Sequence, residues 1–132
     1  MRQTIFLIFI LSITNVFSQD SGLKNYYETL DYNSVYKVDL DINKWDFQHY
    51  YNSKVIIDID ENGGGKIILY YRSKHLFYIE RNYKLTYSDG SGTYFFVLDN
   101  GNILRLGITS KNYLSAFSIV LNDNTTVTFA NN

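Results

Sequence analysis

Apolar residues in this chain alternate with polar ones more often than they recur every third or fourth place. That is the two-residue period of a strand, whose side chains point to opposite faces of a sheet. The clearest case is residues 54–72. Val55, Ile57 and Ile59 alternate with Ile56, Asp58 and Asp60, the run Glu61-Asn62-Gly63-Gly64-Gly65 follows, and Lys66-Ile67-Ile68-Leu69-Tyr70-Tyr71-Arg72 leads back. Glycine reaches the positive φ angles that such a reversal demands, so this stretch predicts a hairpin. A second hairpin is predicted over 93–109, where Tyr94 to Leu98 and Ile103 to Ile108 flank Asp99-Asn100-Gly101-Asn102. A third runs from Leu114 to Ala130 and turns at Asn122-Asp123-Asn124. Between them lie His75 to Glu80 and Tyr83 to Tyr87, which read as two strands joined at Arg81-Asn82. Ser34 to Ile42 reads as an earlier strand. Leu23, Tyr26, Tyr27 and Leu30 stand three and four apart, which predicts a short helix over 23–30.

About eight or nine short strands at close intervals imply an all-β fold, and short connections favour antiparallel neighbours in a meander. A barrel or strongly curved half-barrel is the expected architecture. A two-sheet sandwich is the alternative.

The first residues break the alternation. Arg2 precedes the apolar run Ile5 to Leu11, resumed at Ile13, and the small polar stretch Thr14 to Ser18 follows. A positive start, a short apolar core and a small-residue end have the form of a secretory signal. The run is shorter than the about 20 residues that cross a bilayer. The expected cut falls between Ser18 and Gln19, so residues 1–18 are the signal and 19–132 one domain. The Ser-Gln junction resembles the cleavage sites of some Gram-negative bacteria. The mature chain is expected in the periplasm or the medium, with no membrane span.

Composition changes this picture in three ways. The chain has no Cys and no Pro, so an exported domain must hold by its core alone, and no strand is broken for want of an N–H. Loss of Arg2 leaves eleven basic residues against thirteen acidic ones, a balance that gives no basic surface for a nucleic-acid partner. Thirteen Tyr, whose rings bury well while their hydroxyls need partners, point to a half-wet surface or cavity.

Several strands are apolar on both faces. Lys66 to Arg72 carries Ile67, Leu69 and Tyr71 on one side and Ile68 and Tyr70 on the other. A half-solvated strand would be polar on one face, so a helix, a second sheet or a partner is expected to cover part of the outside.

Chemistry-bearing groups are few. Asp58, Asp60, Asn62 and Gly63 spell D-x-D-x-N-G, similar to the opening of an EF-hand loop, but Leu69 stands where the closing acid belongs. The turn therefore reads as a polar hairpin, with a partly hydrated calcium site at Asp58, Asp60 and Asn62 as the weaker alternative. Asp39 and Asp41 lie on one face of their strand and read as solvent-facing. His49 and His75 occur without a G-x-S-x-G or H-E-x-x-H motif, so no catalytic residue and no cofactor is expected. The densest stretch is Trp45-Asp46-Phe47-Gln48-His49-Tyr50-Tyr51. Buried, it is a corner of the core; exposed, it can stack on a sugar face or close over an apolar ligand.

A short leading helix, a Trp near the first long strand and a run of tight hairpins together resemble the layout of small lipocalin-like barrels. The G-x-W triplet of lipocalins is absent, since Asn43-Lys44 precede Trp45.

These readings lead to an exported, non-enzymatic binding protein with an aromatic-lined concave surface for a small apolar or sugar-like ligand. The expected contacts are Trp45, Phe47, His49, Tyr50, Tyr51 and Tyr70. A protein-interaction or structural module of the cell envelope is the alternative, and a small hydrolase or lyase using a His-carboxylate pair is the third reading.

Overall fold

A computed structural model of the chain describes residues 16–39, 44–120 and 125–131, with the side chains of 16, 17, 38, 39 and 44–48 outside the description. Among these residues nine strands follow one another: β1 (Val16–Asp20), β2 (Tyr26–Asp39), β3 (Lys44–Ile59), β4 (Gly65–Tyr71), β5 (Ser73–Tyr87), β6 (Gly92–Leu98), β7 (Ile103–Ile108), β8 (Leu114–Val120) and β9 (Thr125–Ala130). From β2 to β9 each strand pairs antiparallel with the next, and β2 pairs with β9. The meander is thus a closed eight-stranded barrel, closed where β2 meets β9 over Ser34–Asp39, so that this part of the first and last strands offers no open edge. β1 lies outside this ring and pairs with β5 from Lys84 to Tyr87.

Two strands serve two parts of the wall. β5 pairs with β4 through Ser73–Ile79 and with β6 through Ile79–Thr86, with a register shift between Ile79 and Arg81. β2 pairs with β3 alone over Tyr26–Tyr32, then with both β3 and β9 from Ser34 on, and its register with β3 shifts between Tyr32 and Ser34. Bulges of this kind bend a strand and turn a corner in the sheet.

Alternation puts the apolar set inside. Val55, Ile57, Ile67, Phe96, Leu104, Leu106 and Phe117 have no exposed surface. An eight-stranded barrel is just wide enough for its own side chains or one small ligand. Here Phe96, Phe117 and Phe129 reach in from one part of the wall, and Ile57, Ile67 and Leu69 from another.

Two expectations are corrected. Residues 23–30 are not a helix: Tyr26–Leu30 pair with Val55–Ile59. Tyr26, Glu28, Leu30 and Tyr32 face inward at strand period while Tyr27, Thr29 and Asp31 are exposed. The partner strand satisfies every other backbone group, which an isolated helix of eight residues would have to do alone. Arg81-Asn82 is not a turn, because β5 runs through it. Its bulge turns the Asn82 side chain inward, where Nδ2 donates to the carbonyls of Leu23 (3.0 Å) and Gly63 (2.6 Å), and Oδ1 accepts from the Leu23 N–H (2.6 Å).

The expected signal segment lies outside the described residues up to position 15, and the expected cut between Ser18 and Gln19 falls inside β1. The turn expected at Asn122-Asp123-Asn124 also lies outside the described residues, between β8 and β9.

Candidate functional site

β4 ends at Tyr71 and β5 begins at Ser73, leaving Arg72 alone at the reversal with φ of 64°. Among the described residues the other non-glycine positions at positive φ are Asn25 and Asn112, and Asn tolerates this region far better than a long side chain. The strained backbone aims Arg72 back over its neighbours. Its guanidinium carbon lies 5.4 Å from the Tyr71 ring centroid and 5.8 Å from that of Tyr51, within cation–π range.

Tyr71 continues the inward series Ile67 and Leu69, so it closes the end of the barrel rather than hanging outside. Its ring meets Phe129 edge-on at 5.2 Å, which ties it to the core. Its hydroxyl and His49 Nε2 share a hydrogen bond of 2.7 Å. The Tyr51 ring stands edge-on to both, 5.1 Å from Tyr71 and 5.9 Å from His49. Tyr51 and Asn52 together oppose Asn33, the bulge at which β3 turns its corner, and this extra residue brings Tyr51 to the mouth. His75 Nε2 lies 3.2 Å from the Tyr71 carbonyl oxygen, to which it donates, and 3.2 Å from Ser73 Oγ.

An open cleft of about 290 Å³ lies against this cluster, lined by Tyr51, Asn52, Tyr70, Tyr71, Arg72, Ser73 and Lys74. Its lining combines Tyr rings with amide, hydroxyl, guanidinium and ammonium donors. A second cleft of about 330 Å³ opens where β9 stops, and in its wall the Tyr32 hydroxyl donates to the Ser115 carbonyl at 2.5 Å.

The aromatic stretch therefore divides. His49 and Tyr51 join the cluster. Tyr70 borders the cleft from the outer wall, and Tyr50 stands exposed beside its partner Ser34. Trp45 and Phe47 lie on β3 opposite Val38 and Tyr36, with their side chains outside the described residues. The reading by sequence passed over Tyr71, Arg72 and Lys74 as site residues. The signal for them was a tight reversal, Tyr71-Arg72-Ser73, with no Gly, Asn or Asp to take the positive φ.

The acidic turn has a different use. Asp60 Oδ1 accepts from the Asn62 N–H at 2.8 Å and the Gly64 N–H at 3.2 Å, so its carboxylate closes its own turn. Asp58 lies on the outer wall between Tyr27 and Lys66. Among the described residues no three His, Asp or Glu side chains converge as a metal site.

The opposite end of the barrel keeps its polar groups to itself. The Tyr26 hydroxyl donates to Glu28 Oε1 at 3.2 Å, and burial, with Glu28 beside it, pushes the Tyr26 phenol up to about 12. Burial and Asp20 likewise raise the Tyr94 phenol, over which Lys84 Nζ sits at 5.8 Å.

Comparison with protein-family models, curated proteins and solved structures gives no match for this chain.

Proposed function

We propose that this is an exported, non-enzymatic binding protein that takes a sugar-like ligand in the cleft beside Arg72. The observation that carries the reading is the pairing of the Tyr51 and Tyr71 rings with polar donors, Arg72 among them, in the lining of one open cleft. A saccharide presents an apolar ring face with hydroxyls at its rim, and such a lining matches both. The filled interior supports a surface site over an engulfed apolar molecule, since core side chains occupy the space such a ligand would take. The form of residues 1–18 supports export.

Affinity electrophoresis through gels containing neutral or acidic polysaccharide tests the reading. The expected result is retardation by at least one polysaccharide, reduced about tenfold by Tyr51→Ala, a loss of about 1.4 kcal/mol. Unchanged mobility in every gel would sink it. Intact mass of the exported protein tests the cut, with Gln19 expected as the first residue.

A further inference from the structure

The outer wall of β2, β3, β4 and β5 carries an apolar stripe that no described residue covers. Register aligns three rows across the four strands: Asp31, Lys54, Tyr70, Lys74; then Thr29, Ile56, Ile68, Leu76; then Tyr27, Asp58, Lys66, Tyr78. The middle row is apolar from Ile56 onward, and Leu76 and Tyr78 are 42% and 57% exposed. Among the described residues β2 has no strand partner on the β9 side over Tyr26–Tyr32, and β5 has none on the β6 side before Ile79.

We infer that this face docks on the same face of a second copy. A two-fold axis along the strands, between β3 and β4, lays β3 on the partner copy's β4 and β2 on its β5. Each position then meets a fitting one. Ile56 meets the second copy's Ile68, Thr29 its Leu76, Tyr27 its Tyr78, and Lys54 its Tyr70. Both acids meet ammonium groups: Asp58 faces Lys66, and Asp31 faces Lys74, which with Tyr70 also borders the cleft beside Arg72, so the cleft of each copy lies at the rim of the dimer. Isologous dimers need this self-complementarity. A membrane surface would favour bases at every rim position, and Asp31 and Asp58 oppose that.

Four strands at about 4.8 Å and five residues at about 3.4 Å make a face roughly 19 by 17 Å. That is below the about 800 Å² per partner of a standard interface. The dimer is accordingly weak and reversible.

Sedimentation equilibrium on the protein, in the form that cells hold, tests this with two charge reversals, Asp58→Lys and Lys66→Asp. The wild type is expected to show a monomer–dimer equilibrium that weakens with salt. Each variant alone sets like charges opposite each other and stays monomeric. The first variant carries bases at both positions and the second carries acids at both. Mixed one to one, they set every base against an acid, so the mixture recovers a dimer of one copy of each. Leu76→Glu removes association with no rescue. Circular dichroism checks that each variant folds, and both charges are on the surface, so the fold is expected to hold. A wild type monomeric at millimolar concentration overturns the inference, as does a mixture that fails to associate or an oligomer indifferent to the reversals.

Discussion

The two ends of β4 solve one problem, reversing a strand, in opposite ways. At its start the turn Asp60–Gly64 places Gly63 and Gly65 at positive φ, where no side chain is strained, and commits the Asp60 carboxylate and Asn82 amide to its own backbone. At its end Arg72 takes the positive φ itself, no glycine is present, and guanidinium, ammonium and rings face an open cleft. The first end satisfies its polar groups internally and is built for stability. The second holds them outward at a conformational cost of about 1–3 kcal/mol. Strain kept at a solvent-facing turn and anchored on the core through Phe129 fits a surface that acts on something else.

The contrast can be broken from either side. The largest effect is expected at the sealed end. Asn82→Ala leaves the buried Gly63 carbonyl and the half-buried Leu23 N–H and carbonyl without their partner, at about 1–3 kcal/mol for a fully buried group and less for the others. Urea denaturation should show a loss of about 3–5 kcal/mol, with polysaccharide retardation intact in what remains folded. Gly65→Ala follows, because an added Cβ would lie 2.2 Å from the Asp58 carbonyl oxygen at φ of 139°; about 2–4 kcal/mol should be lost in the same measurement.

At the open end the signs reverse. Arg72→Asn keeps a residue that tolerates positive φ, so the unfolding midpoint should shift by less than about 1 kcal/mol while retardation falls about tenfold, a change of about 1.4 kcal/mol. Equal losses of stability and binding would merge the two ends into one structural unit. Tyr71→Phe removes the hydrogen bond to His49 and keeps the ring, for about 0.5–1.5 kcal/mol. The smallest effect near neutral pH concerns Tyr26. Its folded pKa of about 12 lies above the ordinary value of 10.0, so its contribution is full below pH 10 and is lost as pH rises through about 12. Denaturation midpoints followed with phenolate absorbance should fall across that window, and Tyr26→Phe should flatten the fall.

Much of the fold was legible because its signals are local. The Gly-rich turn before Lys66 and the Asn100-Gly101 turn both reverse the chain where expected, since residues that take positive φ without strain favour so sharp a reversal. Tyr26–Leu30 was misread because Tyr27 puts a large ring on the outer face and Glu28 a carboxylate on the inner one, which hides the two-residue period behind helical spacing. Of the residues beside the cleft, His49 and Tyr51 stood out in the sequence within the aromatic stretch 45–51, and Tyr70 as one face of a doubly apolar strand. Arg72 was not, because its role depends on a backbone angle that no residue type announces.

Sequence by itself determined most strands from Lys54 onward, most of their turns and the antiparallel meander, since alternation and turn chemistry act over a few residues. It also set the absence of disulfides. Tertiary structure alone decided that β2 meets β9 and closes the ring, which side of each doubly apolar strand became core, and that Tyr71 and Arg72 stand beside His49 and Tyr51. The physical reason is range. A strand with apolar residues on both faces has two equally good ways to face inward, and only its partners' register chooses between them.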